Sequence, residues 1–181
     1  MMTDPIFFYP RLIVKPRQTF RQIAENPPGT VALVGFLIAT VIGAIAEAPK
    51  RAGLFQHLSA YWPLLSSATG QVAASAGLNI LLSPIQALFL HGITRLLGGK
   101  GRWEVLWTAI MFIGTMATLF DLLPIAFIGV AIAFWGAAMT VLALMSVYGV
   151  GWAKAIAVLG IEFGLFFMIA LRFIGFIKGR T

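Results

Sequence analysis

The stretch GTVALVGFLIATVIGAIAE, residues 29–47, decides the kind of fold this chain adopts. Between Val31 and Ala46 Thr40 is the only polar interruption, and the first charge is Glu47. An α-helix needs about 17–25 predominantly apolar residues to cross the hydrocarbon core of a bilayer. A segment of this length and character reads as a transmembrane helix, ended by Pro49-Lys50-Arg51.

Four further stretches of the same character follow, at about 70–97, 103–122, 124–148 and 153–177. Pro84 inside the second predicts a kink. The third and fourth are separated by almost nothing and read as a tight antiparallel hairpin. Between the first two, residues 52–66 carry Leu54, Phe55, Leu58, Tyr61 and Trp62, an interfacial composition, because Tyr and Trp favour the headgroup boundary. Upstream, residues 1–28 form an entry segment on the cytosolic or interfacial side. Pro16 can open a short helix there, with Phe20, Ile23 and Ala24 on one face and Arg17 and Arg21 turned away. That pattern predicts an amphipathic helix on the membrane surface. The expected fold is therefore all-α: an integral membrane bundle of five transmembrane helices over residues 29–181, preceded by a short amphipathic interfacial helix.

Composition agrees. Sixty per cent of residues are hydrophobic and only 10% charged. Soluble domains run at about 45–50% and 25%, and so few charges leave a soluble surface uncovered. The net charge of +7 could suit nucleic acid, but its placement argues otherwise: Lys and Arg sit in short clusters between apolar stretches and not along one polar face. Such clusters orient membrane proteins. Arg11, Lys15, Arg17, Arg21, Arg95, Lys100, Arg102 and Lys154 fall on the N-terminal side, against Lys50, Arg51, Arg172, Lys178 and Arg180 on the other. Eight against five places the N-terminus in the cytoplasm, with the basic C-terminus as dissent; a four-span arrangement with one re-entrant segment would bring it inside. The run Ile6–Tyr9, cut by Pro10 and Arg11, is too short for a signal peptide.

Few side chains are candidates for chemistry. Cysteine is absent, and His57 and His91 lie in different segments, so neither a disulfide framework nor a zinc site is predicted. No Gly-rich phosphate loop is present, Ala74-Ser75-Ala76-Gly77 lacks the Gly-x-Ser-Gly of intramembrane serine proteases, and no nucleophile–base pair stands out. No catalytic residue, metal or cofactor is expected.

The informative position is Glu162, roughly 13 Å into the fifth span. An ionisable group at that depth is costly and faces protein or water. Equal depth on the antiparallel second span falls between Gln86 and His91, so the reading is a Glu162–His91/Gln86 contact, with Arg95 nearer the surface and Asn79 in the same polar set. This is either a structural interhelical hydrogen bond or a relay or ligand contact. Gly160 and Gly164, opposite Glu162, form a small-residue pair that admits another helix, with Ala131, Ala133, Gly136 and Ala137 of the fourth span as a packing partner. Asp121 reads as a partner for Lys50 or Arg51, or as a solvated carboxylate at a helix start. Lys15, Arg17 and Arg21 read as a cluster facing anionic lipid.

The punctuation between spans resembles a known family. Lys15-Pro16-Arg17-Gln18-Thr19-Phe20-Arg21-Gln22-Ile23 is similar to the Pro, Thr-Phe, Ile entry of the Yip family, small five-span membrane proteins named for interaction with Ypt/Rab GTPases. Leu96–Leu106, with Gly98-Gly99-Lys100-Gly101-Arg102, resembles that family's glycine-rich turn between spans two and three. Val147–Ala155 resembles its turn before the last span. The N-terminal region is short beside eukaryotic members, so the resemblance is to a short, bacterial form in an inner membrane, without Rab partners. It implies a non-enzymatic role in membrane organisation, protein interaction or trafficking-like adaptation, with lipids, other membrane proteins or a second copy as partners. The rival is a small oligomeric transporter or channel with a polar path near His91, Arg95 and Glu162. A cavity reaching Glu162 favours the rival; a dry, packed Glu162 favours the scaffold.

Overall fold

The computed structural model describes residues 7–59, 62–123 and 127–178, with side chains throughout except at 50–58, 170 and 173–178. The expectations for the side chains of Lys50, Arg51 and His57, and for Tyr61 and Pro124, fall outside the described residues. Every regular element described is helical: α1 (Phe8–Val14), α2 (Pro16–Glu25), α3 (Gly29–Ser59), a 3₁₀ turn (Pro63–Ser66), α4 (Ala68–Leu96), α5 (Trp103–Asp121), α6 (Ile128–Tyr148) and α7 (Trp152–Lys178). Five segments are long and apolar enough to cross a membrane: Gly29–Pro49, Ala68–Leu96, Trp103–Asp121, Ile128–Tyr148 and Trp152–Ile169. Leu, Ile and Phe side chains such as Leu81, Phe134 and Phe167 stand exposed along them. In water that surface would be a liability; in lipid it is the solvated one.

α5 is the central helix. Ten of its side chains from Val105 to Met116 are buried, and its most extensive contact is with α3. Glycine lets the two approach closely: a Cβ at Gly43 would lie 2.6 Å from the Thr118 methyl, and one at Gly114 would lie 3.3 Å from the Phe36 ring.

Three local features differ from the sequence reading. First, the chain is helical through Pro10, in α1, where the sequence reading placed no helix. Pro10 sits in the first turn of α1, where its missing N–H has no intrahelical partner to lose. Phe8 and Leu12 enter the core, and the Tyr9 ring packs 4.7 Å from that of Phe112. The Tyr9 hydroxyl donates to the Val31 carbonyl at 3.2 Å, over the bare backbone of Gly35, where any Cβ would collide with it. Burial raises the Tyr9 phenol above its ordinary value, with the Thr115 hydroxyl pulling the other way.

Second, α2 has the predicted amphipathic pattern, but its apolar face is not given to lipid. Thr19, Phe20 and Ile23 are buried, and the helix packs on α6 and α5. Protein supplies the apolar partner that the bilayer was expected to supply.

Third, α3 does not stop at Pro49 but runs through it to Ser59. The proline ring leaves the Ile45 carbonyl without its helical donor, yet helical geometry continues beyond the membrane-length segment. Pro84 in α4 is compensated visibly: it frees the Ile80 carbonyl, which takes a hydrogen bond from the Ser83 hydroxyl at 3.4 Å, and Ser83 accepts from the Trp107 indole at 3.3 Å.

Candidate functional site

α4 carries Asn79, Ser83 and Gln86 at i, i+4 and i+7, which places them on one helical face. That face looks into a cavity of about 560 Å³ whose wall takes residues from all five spans, including Phe36 and Thr40 of α3, Gly114 and Thr118 of α5, Gly136 and Thr140 of α6, and Glu162 and Phe166 of α7.

Glu162 is the carboxyl of this cavity, only 3% exposed. Gln86 Nε2 donates to its Oε1 at 2.7 Å. Its Oε2 is buried and has no hydrogen-bond partner. Such a group is expensive in an apolar interior, and in native proteins each case calls for an explanation.

A smaller space of about 110 Å³ adjoins, sharing Thr40, Asn79 and Thr118 and reaching Glu47 and Asp121. Glu47 and Asp121 lie at the C-terminal ends of the first and third membrane segments. The polar surface therefore runs from mid-span to one end of the bundle. The other direction is closed: one turn beyond Gln86, Glu162 and Thr140 lie Leu90, Val158 and Leu144, all fully buried.

Below that packed layer the two turns of the basic end meet. His91 Nδ1 is 2.6 Å from the Tyr148 hydroxyl, the Lys100 amide donates to the Tyr148 carbonyl at 3.3 Å, and Lys154 Nζ donates to the Leu97 carbonyl at 2.8 Å. Only glycine fits at 101, where a Cβ would lie 2.5 Å from the Val147 carbonyl oxygen and 2.8 Å from the Tyr148 ring. The glycine-rich turn and the turn before the last span are thus one packed unit.

Of the candidate residues, Glu162, Gln86 and Asn79 are gathered in the cavity wall. His91 is not: it pairs with Tyr148. Five residues separate Gln86 from His91, about 140° around the helix and 7.5 Å along it, so both cannot face Glu162. Arg95 is exposed at the basic end. Gly160 and Gly164 have open space where a Cβ would stand, with no helix packed on them among the described residues. The expected fourth-span partners Ala133, Gly136 and Ala137 line the cavity. Lys15, Arg17 and Arg21 are exposed. Asp121 lines the smaller space, and Glu104 makes an exposed 3.7 Å pair with Arg102. Tyr148 and Thr118 are residues the sequence does not single out, and Thr40 stands there only as the one polar interruption of the first span. Tyr and Thr are common in spans, and only the packing gives these three a role.

Five apolar spans define a multi-pass integral membrane protein of helical-bundle type, here with a carboxyl enclosed among the spans. The model of the Yip1 domain matches residues 11–173, nearly the whole chain, and the chain belongs to that family. Comparison with curated proteins and with solved structures found no match.

Proposed function

We propose that this protein is a non-enzymatic membrane organiser that holds a membrane-embedded guest in the cavity between its spans. The observation that carries this reading is the cavity itself, about 560 Å³ with a nearly buried glutamate in its wall. The Yip1 family membership supports an interaction role of this kind. The packed layer of Leu90, Leu144 and Val158 favours a blind binding site over an open channel. In the proposed orientation the basic end, with Lys15, Arg17 and Arg21, faces the cytoplasm and contacts anionic headgroups of a bacterial inner membrane.

The test is affinity capture from native membranes, with co-purified lipids and proteins identified, for the wild type and Gly136→Leu. Gly136 lines the cavity and has open space at its Cβ position, so leucine fills the space without a clash. A guest retained by the wild type and lost by the variant supports the reading. Identical inventories refute it.

Transport is the second reading, favoured by one observation: the two spaces share Thr40, Asn79 and Thr118 and extend from Glu162 to Glu47 and Asp121. Solute flux in liposomes that Glu162→Gln abolishes would select it.

A further inference from the structure

Among the described residues, the charged side chains that line the two spaces are all acidic. The chain has thirteen Lys and Arg residues against six Asp and Glu. Among the described residues, none of the basic ones lines either space, whereas Glu162, Glu47 and Asp121 do. At the inner end of this acidic surface, Glu162 Oε2 is buried with no donor, while Oε1 is already taken by Gln86. The free oxygen asks for an N–H or O–H group from something outside the protein.

The rest of the wall sets the body of that molecule. Phe36, Leu82, Ile110 and Ile113 make it apolar, and Phe163 and Phe166 line it while remaining 61% and 44% exposed. An apolar body placed there stays in contact with the bilayer. A bare metal ion uses none of this surface and needs a shell of oxygens; among the described residues no cluster of His, Asp or Glu offers one. A quaternary ammonium would satisfy the charge but brings no N–H for Oε2.

Resting on the cavity-binding reading above, we infer that the guest is an organic ammonium carrying at least one N–H on a compact apolar body, entering from the Glu47/Asp121 end and pairing with Glu162. Charge and hydrogen bond are met at one oxygen, the arrangement in which a buried ion pair recovers its desolvation cost.

Full-length protein in phosphatidylcholine nanodiscs is titrated calorimetrically with 1-adamantylamine, 1-adamantanecarboxylate and 1-adamantanol, empty nanodiscs being subtracted. The amine is expected to bind saturably and the carboxylate not at all. Glu162→Gln, whose side-chain oxygen still accepts from Gln86, is expected to weaken the amine at least about tenfold, and Gly136→Leu to abolish its binding. Equal binding of amine and carboxylate, or an unchanged amine affinity in Glu162→Gln, overturns the inference. If all three probes bind alike and Gly136→Leu blocks them, the ammonium inference falls and the cavity reading stands. If none binds, both fall.

Discussion

Gln86 on α4 and Glu162 on α7 meet at 2.7 Å, seventy-six residues apart in sequence. The bond joins the second and last spans at mid-span. It satisfies one carboxyl oxygen and leaves the other facing no donor. On the basic side of the pair Leu90, Leu144 and Val158 are packed; the opposite side opens into the cavity. The pair is therefore both a helix tie and part of the cavity wall.

Gln86→Leu removes the donor and strands the whole carboxyl. The expected loss is about 1–3 kcal/mol, the cost of a buried unsatisfied polar group, read as a lower unfolding midpoint in detergent. Adding Glu162→Leu removes the stranded group, and the double variant is expected to recover to within about 1 kcal/mol of wild type. A double variant as unstable as Gln86→Leu alone would show that the tie itself, not the stranded carboxyl, sets the stability. Such interhelical bonds average only about 0.6 kcal/mol in membranes.

Gly101→Ala puts a methyl 2.5 Å from the Val147 carbonyl oxygen and 2.8 Å from the Tyr148 ring. Overpacking of this kind costs about 1–3 kcal/mol, and it pries apart the two turns that close the basic end. Gly151→Ala, with open space at its Cβ, serves as the control and is expected to be neutral within about 0.5 kcal/mol. Thermal unfolding of both variants checks the pair; equal midpoints would contradict the packing described.

Tyr9 gives a pH dependence. Its folded phenol is raised above the ordinary value by burial, so the folded state favours the neutral form. Its contribution is fully present below the unfolded value of about 10 and is lost as pH rises through the folded value. Stability is expected to fall above about pH 10 more steeply in wild type than in Tyr9→Phe, which at neutral pH loses about 1 kcal/mol with the bond to Val31. Midpoints measured from pH 7 to 11 test this; parallel curves would rule it out.

Lys15, Arg17 and Arg21 stand exposed on α1–α2, helices whose apolar faces are already buried in protein. Each basic side chain near an anionic surface contributes about 1 kcal/mol. Exchanging phosphatidylcholine for phosphatidylglycerol is expected to raise the midpoint of wild type and to do so much less for a variant with all three changed to Gln. The difference is expected to shrink at high salt. An unaltered lipid response in the variant would assign these residues to orientation only.

The sequence by itself determined the solvent and the number of membrane-length spans. Stretches such as Val31–Ala46 leave only lipid as an exterior, and a backbone in lipid has helix as its economical way to satisfy its own polar groups. It also carried the turn signals, because Gly98–Arg102 and Gly149–Gly151 are local chemistry. Depth was legible too, since a fixed rise per residue pairs Glu162 with the region of Gln86. What it did not carry was rotation about each helix axis. A span with lipid on one side and neighbours on the other shows little hydrophobic asymmetry, so nothing in residues 86–91 says which of Gln86 and His91 turns inward. Rotation is set by how five helices pack together, and only the tertiary structure decided it. The same holds for the α2 face, apolar enough for lipid and claimed by α6 and α5, and for the cavity, an empty volume between helices that no single helix encodes.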